Sequence, residues 1–234
     1  MSDVVLITGG AKRLGSALAK GLIKQGYRVI VHYNTSEEAA RALEEEYGLK
    51  TVQGNLSNPT TVSRVFDEAL LIYGQVDHLI NNASLFSTGT IEELTYDEYQ
   101  KMMDIHVTAP LLLAQCLYRH LKEDNRHGSV INMVDTKVSA PTATRVAYYL
   151  SKSALLEQTK VLAVALGPNV RVNAISPGAV LSNGDEVYFE KMGQLLPLKR
   201  TGSAKAIVDA VSYLLSADFV SGIELPIDGG QKLL

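Results

Sequence analysis

The sequence predicts an α/β fold: a doubly wound, parallel, seven-stranded sheet with helices on both faces, forming a single domain over residues 1–234. Apolar runs of strand length alternate with segments of helical period from end to end, and parallel strands need crossover helices, which cover both faces. No internal repeat, low-complexity stretch or linker divides the chain, and 234 residues at 46% hydrophobic content can bury one full core.

Residues 4–8 form a buried strand run, 14–25 carry helical spacing, and 28–33, rich in β-branched residues, form a second strand that closes a βαβ unit. The rhythm continues with a helix over 36–47, a strand over 50–53, a helix opened by Asn58-Pro59 and a strand over 77–81. A long helix running through Leu113 precedes a strand over 129–133, a helix carrying Tyr148 and Lys152, a strand over 171–175, a helix over 204–216 and a last strand over 224–227. Residues 179–199 are the most irregular stretch and follow a strand end, where a loop covering substrate is expected.

Net charge is −3 with pI near 6.0, and the 22 Lys and Arg are scattered, which argues against nucleic acid or a membrane surface as a partner. Cys116 is the only cysteine; with no partner for a disulfide and no neighbouring ligand set, it reads as a small buried residue on a helix, so no metal site is expected and a reducing compartment fits. The first residues lead directly into an apolar strand without a basic flank or cleavage site, and no apolar run approaches ~18 residues, so a soluble cytoplasmic protein is expected.

The first strand ends in Thr8-Gly9-Gly10-Ala11-Lys12-Arg13-Leu14-Gly15 and enters a helix. Glycines there allow a dinucleotide pyrophosphate to approach backbone N–H groups and the positive helix end. After the second strand the chain reads His32-Tyr33-Asn34-Thr35-Ser36, with no acid to bind a ribose 2′-hydroxyl or repel a 2′-phosphate. Together with Arg13 in the turn and the Ser36 hydroxyl, this favours NADP over NAD.

Tyr148 and Lys152 stand at i, i+4 on one helical face, so the ammonium can approach the phenol and favour phenolate. Tyrosine ionises near ~10, and a nearby cation moves it toward the range where proton transfer works. Asp135, thirteen residues before Tyr148, adds a second titratable group. Asp135, Tyr148 and Lys152 are the catalytic candidates.

With the Thr8-Gly9 turn, Asn81-Asn82-Ala83, Tyr148-x3-Lys152, Pro177-Gly178 and Asp228-Gly229-Gly230 in this order, the chain resembles the short-chain dehydrogenases/reductases, Rossmann-like enzymes, over nearly its whole length. Within them it looks most like the pteridine reductases and bacterial dihydromonapterin reductases, through residues 8–15, His32-Tyr33, Asn81-Asn82-Ala83-Ser84-Leu85-Phe86 and Ile131-Asn132-Met133-Val134-Asp135. The common superfamily pattern has glycine where Arg13 stands, glycine where Ser84 stands and serine where Asp135 stands. The resemblance implies cofactor contacts from Thr8, Gly9, Arg13, Leu14, His32, Tyr33, Asn34, Ser36, Asn55, Leu56, Asn82, Ala83, Ser84, Met133, Tyr148, Lys152, Pro177 and Gly178. It also implies a pterin stacked on Phe86 and touched by Arg13, Ser84, Asp135 and Tyr148.

The chemistry of the residues agrees with a pterin. A dihydropterin offers an aromatic face, hydrogen-bond donors for a carboxylate, and a C=N bond whose reduction needs a hydride on carbon and a proton on nitrogen. The alternatives are a short-chain carbonyl reductase, such as a 3-oxoacyl-thioester reductase, and a non-catalytic dinucleotide-binding protein. Asp135 argues against the first, because an ionised carboxylate beside a ketone oxygen is repulsive, and the Tyr148–Lys152 pair against the second. His106 stands where the superfamily usually has an asparagine; a proton relay and a buried structural histidine both fit it. Two further positions differ from the family: Asn55 replaces the usual aspartate, and Thr35 stands where pteridine reductases often have arginine. By analogy a homotetramer is expected, packed through the long helices and the C-terminal strand, with the apolar run 211–215 and the tail 231–234 contributing.

Overall fold

The computed structural model describes residues 2–182 and 184–234, with Tyr188 described by its backbone alone. These residues form one seven-stranded sheet in the order β3-β2-β1-β4-β5-β6-β7. The strands are β1 (Val4–Ile7), β2 (Arg28–Tyr33), β3 (Lys50–Gln53), β4 (His78–Asn81), β5 (Gly128–Met133), β6 (Val170–Pro177) and β7 (Glu224–Ile227), and every pairing is parallel.

Alternation along β1 explains the two-sided core, since successive side chains of a strand point to opposite faces. Val5 and Ile7 pack with Leu18 and Leu22 of α1 (Arg13–Lys24), Leu43 of α2 (Glu37–Tyr47), and Ile207 and Val211 of α8 (Ala204–Ser216). Val4 and Leu6 pack on the other face with Phe66 of α3 (Pro59–Tyr73), Leu113 and Leu117 of α5 (Ala109–Glu123), and Leu162 of α6 (Val146–Ala165). Asn58 opens α3 by accepting the Thr60 N–H, with Pro59 in the first turn, and Gly74 closes it in the left-handed conformation.

Three expectations change. The long helix is three joined pieces: α4 (Tyr96–Met103), a π-helical turn over Asp104–Thr108, and α5. The stretch 179–199 is not a plain loop, because α7 (Glu186–Leu195) lies within it; Asn183 of that stretch is outside the described residues. The run 211–215 does not supply an outward apolar face, since Val211, Leu214 and Leu215 are core residues and Tyr213 alone of the apolar side chains there is exposed. The tail does reach solvent through Leu233 and Leu234. Among the described residues no helix is long and apolar enough to cross a membrane.

Candidate active site

β1 lies between β2 and β4, so the chain leaves the sheet in opposite directions from β1 and β4, and the crevice at their carboxyl ends is where such a sheet binds ligands. The glycine turn borders it. Gly9 has φ +60°, and a Cβ on it would stand 2.8 Å from the Cα of Ala83, so only glycine lets the turns after β1 and β4 touch. Thr8 Oγ1 accepts the N–H groups of Asn82 and Ala83, both at 3.0 Å, while Asn82 Nδ2 donates to the carbonyls of Thr8 and Gly9, both at 3.0 Å.

α1 starts with no side-chain cap and no acid in its first turn, so its leading N–H groups and positive end are open to an anion. Arg13, where the superfamily pattern has glycine, holds φ +52° and donates from Nη2 to the Ser182 carbonyl at 3.2 Å. A close-approach cradle that a Cβ would fill, beside an uncapped helix end, fits the pyrophosphate of a dinucleotide.

His32 behaves differently from its neighbours. It is 2% exposed; Nδ1 accepts the Gly9 N–H at 3.2 Å, so Nε2 carries the hydrogen donated to the Gly54 carbonyl at 2.9 Å. Burial lowers its pKa to about 4, and the neutral ring braces the turn from behind. Leu14 and Tyr33 are half-buried, the Ser36 hydroxyl does not cap α2, and the Asn34 carbonyl is taken by Gln53 Nε2 at 3.0 Å. Asn55 Oδ1 accepts the Ser57 N–H at 3.0 Å, Leu56 and Met133 are buried, and Gly178 follows Pro177, donating its N–H to Ile227 at 3.0 Å.

At the end of β5 the three catalytic candidates come together. Tyr148 Oη donates to Asp135 Oδ2 at 2.8 Å, while Asp135 Oδ1 accepts the Lys137 N–H at 2.8 Å and caps the short 3-10 turn Thr136–Ser139. The carboxylate is therefore both a turn former and the phenol's partner. Lys152, 2% exposed, donates from Nζ to the Met133 carbonyl at 2.7 Å and stands 6.0 Å from the Tyr148 ring centroid. Burial lowers the Lys152 pKa to about 8, against the pull of Asp135. Tyr148 is pushed above its ordinary value, first by burial and then by the charge and hydrogen bond of Asp135. The shift runs opposite to the direction expected from Lys152: burial and the Asp135 carboxylate raise the phenol's pKa, and the cation that opposes them is Arg145.

His106 occupies the π-helical turn and is 1% exposed. Its Nε2 accepts the Leu85 N–H at 3.3 Å and lies 2.8 Å from Ser84 Oγ, so that nitrogen is unprotonated and the Ser84 hydroxyl donates to it. Nδ1 then carries the hydrogen and donates to Ser151 Oγ at 2.8 Å, and Ser151 donates to the Tyr148 carbonyl at 2.8 Å. Burial, then the Lys152 charge, lowers the His106 pKa to about 2. Both nitrogens are occupied in a neutral strut between the loop after β4 and the helix of Tyr148. With its hydrogen turned toward His106, Ser84 keeps lone pairs for a donor.

Phe86 is not a core aromatic: it is 59% exposed, its ring centroid lies 4.6 Å from that of Tyr148, and the Arg145 guanidinium sits 4.7 Å from it. Arg145 and Ser151 escaped the sequence reading, although both stand three residues from Tyr148, the spacing that shares a helical face. A cavity of about 390 Å3 is lined by Val180, Pro197, Leu198, Thr201 and Asp228 among others and includes none of the three catalytic candidates.

Comparisons with known proteins identify the family. The family model described as "Enoyl-(Acyl carrier protein) reductase" matches residues 9–232. Dihydromonapterin reductase of Shigella boydii serotype 4 (strain Sb227) is 34% identical over 232 residues, covering 98% of this chain and 96% of that protein, and the same figures hold for dihydromonapterin reductase of Escherichia coli O6:K15:H31 (strain 536 / UPEC). Among solved structures, FolM alternative dihydrofolate reductase 1 from Brucella canis, complexed with NADP, matches with TM-score 0.93 and 32% identity over 99% of this chain and 95% of that one. A blue fluorescent protein from a metagenomic library, in complex with NADPH, matches with TM-score 0.88 and 30% identity over 97% of each chain. These matches run along nearly the full chain, and the protein belongs to the short-chain dehydrogenase/reductase family of oxidoreductases.

Proposed function

We propose that this protein is an NADPH-dependent reductase converting dihydropteridines, of the dihydromonapterin, dihydrobiopterin or dihydrofolate type, to tetrahydropteridines. The observation that carries the reading is the 2.8 Å hydrogen bond from Tyr148 to Asp135, close to the exposed ring of Phe86. The dihydromonapterin reductases among its relatives, and the solved dihydrofolate reductase bound to NADP, support it.

NADPH, when bound, supplies the hydride for the substrate carbon. Arg13 and the open start of α1 would hold its pyrophosphate, and the two N–H groups that Lys152 does not spend on Met133 would hold ribose hydroxyls. Ser36 would take the 2′-phosphate, with Glu37 of the same turn already paired to Arg41 at 2.6 Å. Phe86 offers a ring face to the pterin, and Ser84 an acceptor. Tyr148 gives its proton to the substrate nitrogen; the phenolate left behind is stabilised by the Lys152 ammonium, and a proton taken up at Asp135 returns across their hydrogen bond. The exposed apolar side chains Leu111 on α5 and Leu150, Val161 and Val164 on α6 support a homotetramer packed through these helices, which a monomer's elution in sizing chromatography would disprove.

The test is NADPH and NADH oxidation with dihydrobiopterin, dihydromonapterin, dihydrofolate and an acetoacetyl thioester. Turnover of the thioester alone overturns the proposal. Asp135→Ser should lower pterin turnover by about 100-fold while NADPH affinity, measured by fluorescence titration, stays the same.

A further inference from the structure

Arg145 immediately precedes α6 with φ +68°, a conformation that L side chains rarely adopt, and its N–H donates to the Gly89 carbonyl at 2.9 Å, which pins the turn. A strained residue held this close to the chemistry invites a functional reading. Its guanidinium stacks on Phe86 at 4.7 Å, and Phe86 stands 4.6 Å from Tyr148. The charge is not compensated: among the described residues the guanidinium forms no ion pair, and α6 has no acid in its first turn. Of the carboxylates nearby, Glu98 of α4 accepts the Ser87 hydroxyl, and Glu93 accepts the N–H and hydroxyl of Thr90, both at 3.0 Å. A half-buried arginine fork at the rim of a cleft, against the aromatic that would face substrate, is suited to a carboxylate or a phosphate. Its charge also opposes the rise in the Tyr148 pKa, which places it in electrostatic reach of the phenol.

Resting on the pteridine reading above, we propose that Arg145 is a specificity-determining residue that receives an anionic group on the substrate's side chain, so that the enzyme selects acid-tailed dihydropterins over those with neutral hydroxyalkyl tails. The test is kcat/KM with NADPH for dihydrofolate, whose tail carries carboxylates, for dihydroneopterin monophosphate, and for neutral dihydrobiopterin. These are measured in the wild type, Arg145→Gln, Arg145→Gly and Arg145→Lys. Glycine accepts the left-handed backbone without strain and guards against a folding defect. In the Gln and Gly variants, kcat/KM for an acid-tailed substrate should fall at least ~10-fold further than for dihydrobiopterin, mainly through KM, with partial recovery in Arg145→Lys. A selective fall with dihydrofolate identifies the carboxylate, and one with the monophosphate identifies the phosphate. Equal falls on all three overturn the proposal, because Arg145 would then act only by holding Phe86. Wild-type protein that reduces none of the three overturns the pteridine reading itself.

Discussion

At the amino ends of β1 and β4, Asp77 Oδ2 accepts the Val4 N–H at 2.8 Å and Gln75 Nε2 at 2.9 Å, its other oxygen pairs with Arg126, and His78 bridges Asp3 at 3.4 Å and Ser129 at 3.3 Å. At the carboxyl end of the sheet, Arg13 and Arg145 hold left-handed backbones, α1 and α6 begin without side-chain caps, and Phe86 is exposed. The amino end satisfies its polar groups internally and ties β1, β4 and β5 together. The carboxyl end keeps charges and donors unspent, and displaces the protonation of Tyr148 and Lys152 from ordinary values. One end is organised for stability and the other for binding, a division of labour that can be broken experimentally.

The largest effect belongs to Tyr148→Phe, expected to cut pterin turnover by about 1,000-fold while the melting temperature moves by only a few degrees. A variant that melts early and loses activity in proportion would erase the division. Next is Asp77→Ala, which strands the Val4 N–H and leaves Arg126 with its longer pair to Asp124 at 3.9 Å; urea titration should show a loss of about 3 kcal/mol with KM for NADPH unchanged. The third is a pH effect. His32 is held neutral with its pKa lowered to about 4, so stability present above the unfolded histidine value of ~6.5 is lost as pH falls toward 4, by on the order of 3 kcal/mol. His32→Asn should flatten that slope in chemical denaturation series; an unchanged slope would show that another group sets it. The smallest is Arg13→Gly, which relieves a left-handed arginine and should raise stability by about 1 kcal/mol, while the NADPH dissociation constant rises.

The strand and helix order was legible because burial imposes periods of two and 3.6 on the sequence, and 28–33, 50–53, 204–216 and 224–227 coincide with β2, β3, α8 and β7. α7 was hidden by Ser182-Asn183-Gly184-Asp185 before it and Gly193 inside it, residues that signal turns. In the site, the i, i+4 spacing announced that Tyr148 and Lys152 share a helical face, while the family resemblance, not the spacing, implied that Asp135 joins them. The direction of the phenol's shift was not announced, because it depends on how deeply α6 sinks Tyr148, and burial is a tertiary property. The same limit applies to His106: nothing local reveals that Leu85 and Ser84 occupy one nitrogen and Ser151 the other.

The clasp between Thr8 and Asn82, 74 residues apart in sequence, bears on the thermodynamics of ligand association. Two loops that would otherwise each lose conformational freedom on meeting a dinucleotide lose it during folding instead. The cradle is preorganised, and little of the cofactor's binding free energy is spent on ordering the protein beneath it.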